Sequence, residues 1–158
     1  MNISIKKGIG FGLTSGVITT LGLIIGLYSG IGVKEVIVAG ILTIAIADAF
    51  SDALGVHISE ESDKKKTQSN IWSSTFSTFF SKLIFALSFL IPILFLQLNL
   101  AIIFSIIWGL FLIVIFSYYI AKSRRENVLG VIFQHLIIAI FVILISYLVG
   151  LGIDKLFS

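Results

Sequence analysis

The chain contains no cysteine, which excludes both a disulfide framework and a thiolate metal site. It has a single proline, Pro92, so long stretches are free to remain helical. Charge is scarce: 12% of the residues are Asp, Glu, Lys or Arg, about half of what a soluble domain carries. That argues against a chain folded in water around an ordinary core. No nucleophile–base pair, phosphate-binding loop or cofactor motif is present, so the sequence does not read as an enzyme. Nothing in it points to nucleic acid as a partner.

What is present is apolar. Hydrophobic residues make up 58% of the chain and come in long blocks instead of short alternations. Blocks of this length read as membrane-spanning helices, with the lipid bilayer as the first partner. The expected fold is a single all-α integral membrane domain over residues 1–158 with five spans. They run from about Gly8 to Tyr28, Val33 to Ile58, Lys82 to Leu98, Leu100 to Ala121 and Val128 to Gly150. Each is near the ~20 residues a helix needs to cross the hydrocarbon core. The third and fourth are joined by a tight hairpin around Gln97-Leu98-Asn99, and Pro92 should kink the third or mark its last turns.

The basic residues set the expected orientation. Lys6, Lys7, Lys64, Lys65, Lys66, Lys82, Lys122, Arg124 and Arg125 all fall on one side of this layout; Lys34 and Lys155 fall on the other. By the positive-inside bias, the amino terminus is cytoplasmic and the carboxyl terminus outside.

Two patterns concern packing. In span one, Gly8, Gly12 and Gly16 repeat at four, as do Gly22, Gly26 and Gly30, with Ser15 and Thr19 on nearly the same stripe. Small residues at this spacing allow a close helix approach, either within the subunit or at a subunit interface. Between Thr67 and Lys82, Ile71, Trp72, Phe76, Phe79, Phe80 and Leu83 share one half of a helical wheel; Ser73, Ser74, Ser77, Thr78 and Ser81 share the other. That predicts an amphipathic helix over about 67–81, lying at the cytoplasmic interface; the competing expectation is that the stretch is only the start of a long third span. Spans three and four read as scaffold, with Trp108 and the Tyr118-Tyr119 pair as packing or interface anchors. In span five, Gln134 and His135 lie near the cytoplasmic end, where a histidine more often bonds a neighbouring helix than a metal.

The chemistry is concentrated between Ile41 and Asp63. On a helix, Asp48, Ser51, Asp52, Gly55, Ser59, Ser62 and Asp63 fall within roughly a third of the circumference, at about 100° per residue. His57 points to the opposite face. Asp48 and Asp52 stack one turn apart. Two ionised carboxylates so close in a low dielectric repel, so a proton or a cation must sit between them. Oxygen ligands suit hard or borderline divalent cations such as manganese and ferrous iron. No Lys or Arg is expected at mid-depth in any span, which leaves the aspartates without a fixed partner. Glu60, Glu61 and Asp63 either continue the row as a funnel that concentrates cations or form a solvated acidic loop balanced by Lys64 to Lys66.

Three stretches resemble the vacuolar iron transporter family: GLTSGVITTLGLIIGLYSG in span one, AGILTIAIADAFSDALGVHISEESD in span two, and the closing ISYLVG. The resemblance covers nearly the whole chain and extends to the five-span layout. It implies a homodimer whose first helices line a central path, exporting Fe2+ or Mn2+ from the cytosol by proton antiport. It implies no bound cofactor beyond the transported ion, and a small prokaryotic type in the plasma membrane. The chain departs from the pattern at Ser15, where the family usually has aspartate, at Asp52, where it usually has methionine, and at Val56, where glutamate is common; Ser59 is kept. The family's glutamate-rich cytoplasmic helical domain is replaced by Glu60, Glu61 and Asp63 with a short linker.

The sequence therefore leads to a carrier with Asp48, Asp52, Ser59, Glu60, Glu61 and Asp63 as metal ligands. Gly12, Ser15, Gly16, Thr19, Gly22 and Gly26 form the packing or dimer face. The competing expectation is a non-transporting membrane protein that uses the same glycine face for assembly.

Overall fold

The computed structural model describes residues 3–157, and among them the chain forms helices only. These are α1 (Ile3–Gly30), α2 (Lys34–Glu61), α3 (Gln68–Ser88), α4 (Leu90–Phe95), α5 (Leu98–Arg124) and α6 (Val128–Phe157). Five stretches are long and apolar enough to cross a membrane, with α3 and α4 counting as one from Gln68 to Phe95. The all-helical build and the five spanning-length stretches agree with the sequence.

The connections follow local chemistry. Gly32 has φ +66°, and its N–H and that of Ile31 both donate to the Leu27 carbonyl, ending α1 in a tight turn. Thr67 caps α3 by accepting from the Asn70 N–H at 3.3 Å. Arg125 takes a left-handed conformation after α5, and Glu126 N–H closes that turn on the Ala121 carbonyl. Pro92 has no N–H to give Ser88, and the helix breaks between Ser88 and Leu90, one turn before it. Lys34 donates to the carbonyls of Leu94 and Leu96, placing a cation at the carboxyl end of α4.

α1 is the central element, packed against α2, α3, α5 and α6. Its two glycine runs face different neighbours. From Gly16 to Gly22 is six residues, a rotation of roughly 240° from one run to the next. Gly8, Gly12 and Gly16 meet Ser74, Ser77, Thr78, Ser81 and Lys82 of α3. Gly22, Gly26 and Gly30 meet Val142, Ser146 and Gly150 of α6. Both runs are therefore occupied within the chain. A Cβ at Gly12 would lie 2.5 Å from the Thr78 carbonyl oxygen, so the close approach is backbone to backbone.

α3 corrects two expectations. Residues 67–81 are not a separate interfacial helix but the first part of a helix that runs on to Ser88. Its polar side is turned inward: Ser74, Thr75, Thr78 and Ser81 are buried, while Trp72, Phe76 and Phe80 are exposed. The reason is that each hydroxyl satisfies itself. Ser74, Thr75, Ser77 and Thr78 donate to the carbonyls of Asn70, Ile71, Ser73 and Ser74, and Ser81 donates across to the Ile9 carbonyl. Small satisfied hydroxyls then fit the glycine groove better than aromatic rings would. The third span accordingly starts at Gln68 instead of Lys82, and Lys82 lands near its middle.

Candidate functional site

Lys82 overturns the expectation that no cationic side chain lies at mid-depth. Its side chain is only 1% exposed. Its Nζ lies 2.5 Å from Asp48 Oδ2 and 2.5 Å from Asp52 Oδ2. It also donates to Ser15 Oγ at 2.8 Å. Three helices thus converge on one ammonium: α1 through Ser15, α2 through the aspartates, and α3 through the lysine itself. The cation required between the two carboxylates is supplied by the chain.

The glycine groove positions this lysine. A Cβ at Gly16 would sit 3.1 Å from the Lys82 carbonyl oxygen and 3.3 Å from its Cα. With only hydrogen there, α3 lies close enough for the lysine to reach the seam between α1 and α2. Thr19 Oγ donates to the Ser15 carbonyl, holding its own side chain on that seam. Of the residues assigned to the packing face, Gly12 and Gly16 face α3, Gly22 and Gly26 face α6, and Ser15 and Thr19 face α2 and the ion cluster.

Along the seam run two open grooves that meet at the cluster. One, of about 860 Å³, is mostly apolar, with Leu23, Leu27, Val36 and Ile44 in its lining beside Asp48 and Ser51. The other, of about 550 Å³, is lined by Lys7, Phe11, Ser51, Asp52, Ser59 and Glu60 among others. Asp48 borders the first and Asp52 the second, so Lys82 bridges a carboxylate on either side. Asp48 Oδ2 is satisfied by its ion pair with the ammonium, as Asp52 Oδ2 is by its own.

The remaining acidic residues do not join this cluster. Glu60 is buried at the far end of α2, where it bonds Lys7 at 2.7 Å and Lys66 at 2.9 Å. Glu61 and Asp63 are exposed, and Asp63 caps the backbone N–H of Lys65. Ser59 is an exposed lining residue of the second groove. The expected ligand row therefore splits in two, because the helix end turns Glu60 toward two lysines and leaves Glu61 and Asp63 outside. Among the described residues, no three of His, Cys, Asp and Glu come together as a metal-holding group. The expected acidic funnel is a lysine-clamped carboxylate.

His57 faces α3, as its wheel position required. Its Nδ1 lies 3.0 Å from Thr75 Oγ, and Trp72 packs edge-on to the ring. His135 makes the same kind of bond, to Ser117 Oγ at 2.7 Å, joining α6 to α5. Gln134 is exposed.

The residue that sequence reasoning missed is Lys82. The available signal was its helical phase: Thr78 and Ser81 precede it on the hydroxyl face that α3 buries. Set beside known proteins, the chain matches no family model and no curated sequence.

Proposed function

We propose that this protein is a membrane carrier for cations, with Asp48 and Asp52 as the exchange site and Lys82 as its resident counter-charge. The observation that carries the reading is the ion cluster at mid-span, its lysine buried and its aspartates bordering two open grooves, a largely apolar one beside Asp48 and one holding Lys7, Ser59 and Glu60 beside Asp52. Ionised side chains at such depth are costly, and their usual use is in ion or proton pathways. The family resemblance adds Fe2+ and Mn2+ as cargo, export from the cytosol, and proton antiport as the driving step. The distribution of Lys and Arg supports a cytoplasmic amino terminus and an outside carboxyl terminus, and the resemblance adds a prokaryotic plasma membrane. A second copy packed along α1 and α2 would cover the grooves that Asp48 and Asp52 border, in keeping with the homodimer that the resemblance implies.

The test is uptake into proteoliposomes with an acidic interior, comparing Mn2+, Fe2+ and monovalent ions. Uptake should require Asp48 and Asp52. Transport by an Asp48→Asn/Asp52→Asn protein at the native rate would remove the site from the mechanism.

A second reading has its own support. Lys82 already neutralises part of the charge and ties α1, α2 and α3 together, as a purely structural ion cluster would. A non-transporting assembly protein would then tolerate asparagine at both aspartates, while bulky residues at Gly16 or Gly26 would disrupt it.

A further inference from the structure

Charge at mid-depth can be counted directly. Among the described residues, Asp48, Asp52 and Lys82 are the charged side chains in the middle of the spanning helices. The others lie in end turns or loops: Lys6, Lys7, Lys34, Glu35, Glu60 and Glu61, the 63–66 segment, Lys122 to Glu126, Asp154 and Lys155. No charged group of α4, α5 or α6 reaches the level of the cluster by its place in the helix. With its three members ionised, the cluster carries one net negative charge.

We infer that Lys82 sets the valence of the ion this site accepts, so that the ligand of the native protein is a monovalent cation. The inference rests on the reading of the cluster as a cation site, and it replaces the Fe2+ and Mn2+ that the family resemblance adds with a monovalent ion. What points to a ligand is the ammonium itself, a cation seated 2.5 Å from both carboxylates and 1% exposed. It takes the place between the carboxylates that a divalent metal would need. Adding one positive charge makes the cluster neutral; adding two leaves a net positive charge in a low dielectric, the costlier state. Coordination capacity remains for a small ion. Lys82 engages the Oδ2 atom of each aspartate, which leaves Asp48 Oδ1 and Asp52 Oδ1 for a ligand, and Ser51 lines both grooves beside them. Such an all-oxygen environment suits a hard cation. Removing the ammonium raises the deficit to two charges and converts the same carboxylates into a divalent site.

The experiment is equilibrium binding to the purified full-length protein in detergent. Mn2+ binding is read by loss of the free-ion paramagnetic resonance signal for the native protein, Lys82→Met and Lys82→Met/Asp48→Asn. The native protein should bind no Mn2+ that depends on Asp48. Lys82→Met should bind one Mn2+ at least about tenfold more tightly, and the added Asp48→Asn should abolish it. Mn2+ bound by the native protein and lost in Asp48→Asn overturns the inference, as does no gain in a folded Lys82→Met.

Should Lys82→Met fail to fold, the native protein decides alone. Its thermal midpoint is compared in NaCl, LiCl and choline chloride at equal ionic strength, and again with MnCl2. Stabilisation by Na+ or Li+ that Asp48→Asn removes supports a monovalent site. Stabilisation by Mn2+ alone, or by none of these, overturns it. Monovalent binding without any vesicle transport would sink the carrier reading and leave the valence assignment standing.

Discussion

The molecule contains two three-membered ion clusters, and they are built in opposite proportions. At mid-span, one lysine serves two aspartates; at the end of α2, one glutamate serves two lysines. The first carries a deficit of positive charge and the second an excess. Their surroundings differ as well. The central members are both buried, Lys82 at 1% and Glu60 at 7% exposure, but Lys7 is 63% exposed while Asp48 and Asp52 are 28% and 18%, so water and salt screen the end cluster more than the middle one. Similar distances therefore do different work. The end cluster fastens α1 and the loop after α2 to the end of α2. The middle cluster holds charge where charge is expensive, and that expense makes it a candidate for ion exchange.

The largest expected effect lies in the middle cluster. Lys82→Met takes the buried ammonium from two partly buried carboxylates and should cost about 3 kcal/mol of stability, the low end for a broken buried pair. Adding Asp48→Asn and Asp52→Asn should restore much of it, as read by thermal unfolding in one detergent. If the triple variant is no more stable than Lys82→Met, the pairing is not what the cluster contributes. Next comes the groove that brings Lys82 into place. Gly12→Val puts a side chain against the Thr78 carbonyl and should cost about 1–3 kcal/mol. A Cβ at Gly55 meets nothing within 4 Å. Gly55→Leu should therefore leave the monomer's stability within about 0.5 kcal/mol yet weaken a homodimer built on that seam, a difference that cross-linking in membranes would read.

The smallest effect belongs to the end cluster. Glu60→Gln should cost no more than about 1 kcal/mol, because Lys7 is well exposed. Roughly 1 M salt, with a Debye length of about 3 Å, should erase most of that difference while leaving the Lys82→Met deficit in place. Equal salt sensitivity of the two variants would collapse the contrast between the clusters.

The helical layout was legible because apolar blocks of spanning length leave few alternatives. The Asp48–Asp52 pairing was legible too, since a four-residue spacing stacks side chains on one face. Lys82 was not, for a physical reason. Hydropathy scores the hydroxyls of Ser73 to Ser81 as polar and so delays the start of the third span. A helix lets those hydroxyls bond their own backbone, which makes them cheap to bury against glycine. The same misreading left the hydroxyl face of α3 at the water interface, where the structure turns it inward against α1. The partners of α1's glycines needed the phase step between Gly16 and Gly22, which separates the two runs but does not name α3 or α6. The fate of Glu60 depended on where Lys7 and Lys66 fold back, and no local pattern encodes that.

The bond between His57 and Thr75 has a consequence for where a proton resides. A threonine hydroxyl has one hydrogen, and Thr75 gives it to the Ile71 carbonyl at 2.9 Å. Toward His57 the same oxygen can then only receive, so the imidazole carries its hydrogen on Nδ1 and keeps a lone pair on Nε2 when neutral. Ser117, which gives its hydrogen to the Ile113 carbonyl, imposes the same tautomer on His135. Nitrogen-15 chemical shifts of the two rings would show it directly. Backbone carbonyls one helical turn away thus dictate the face each imidazole offers to its surroundings.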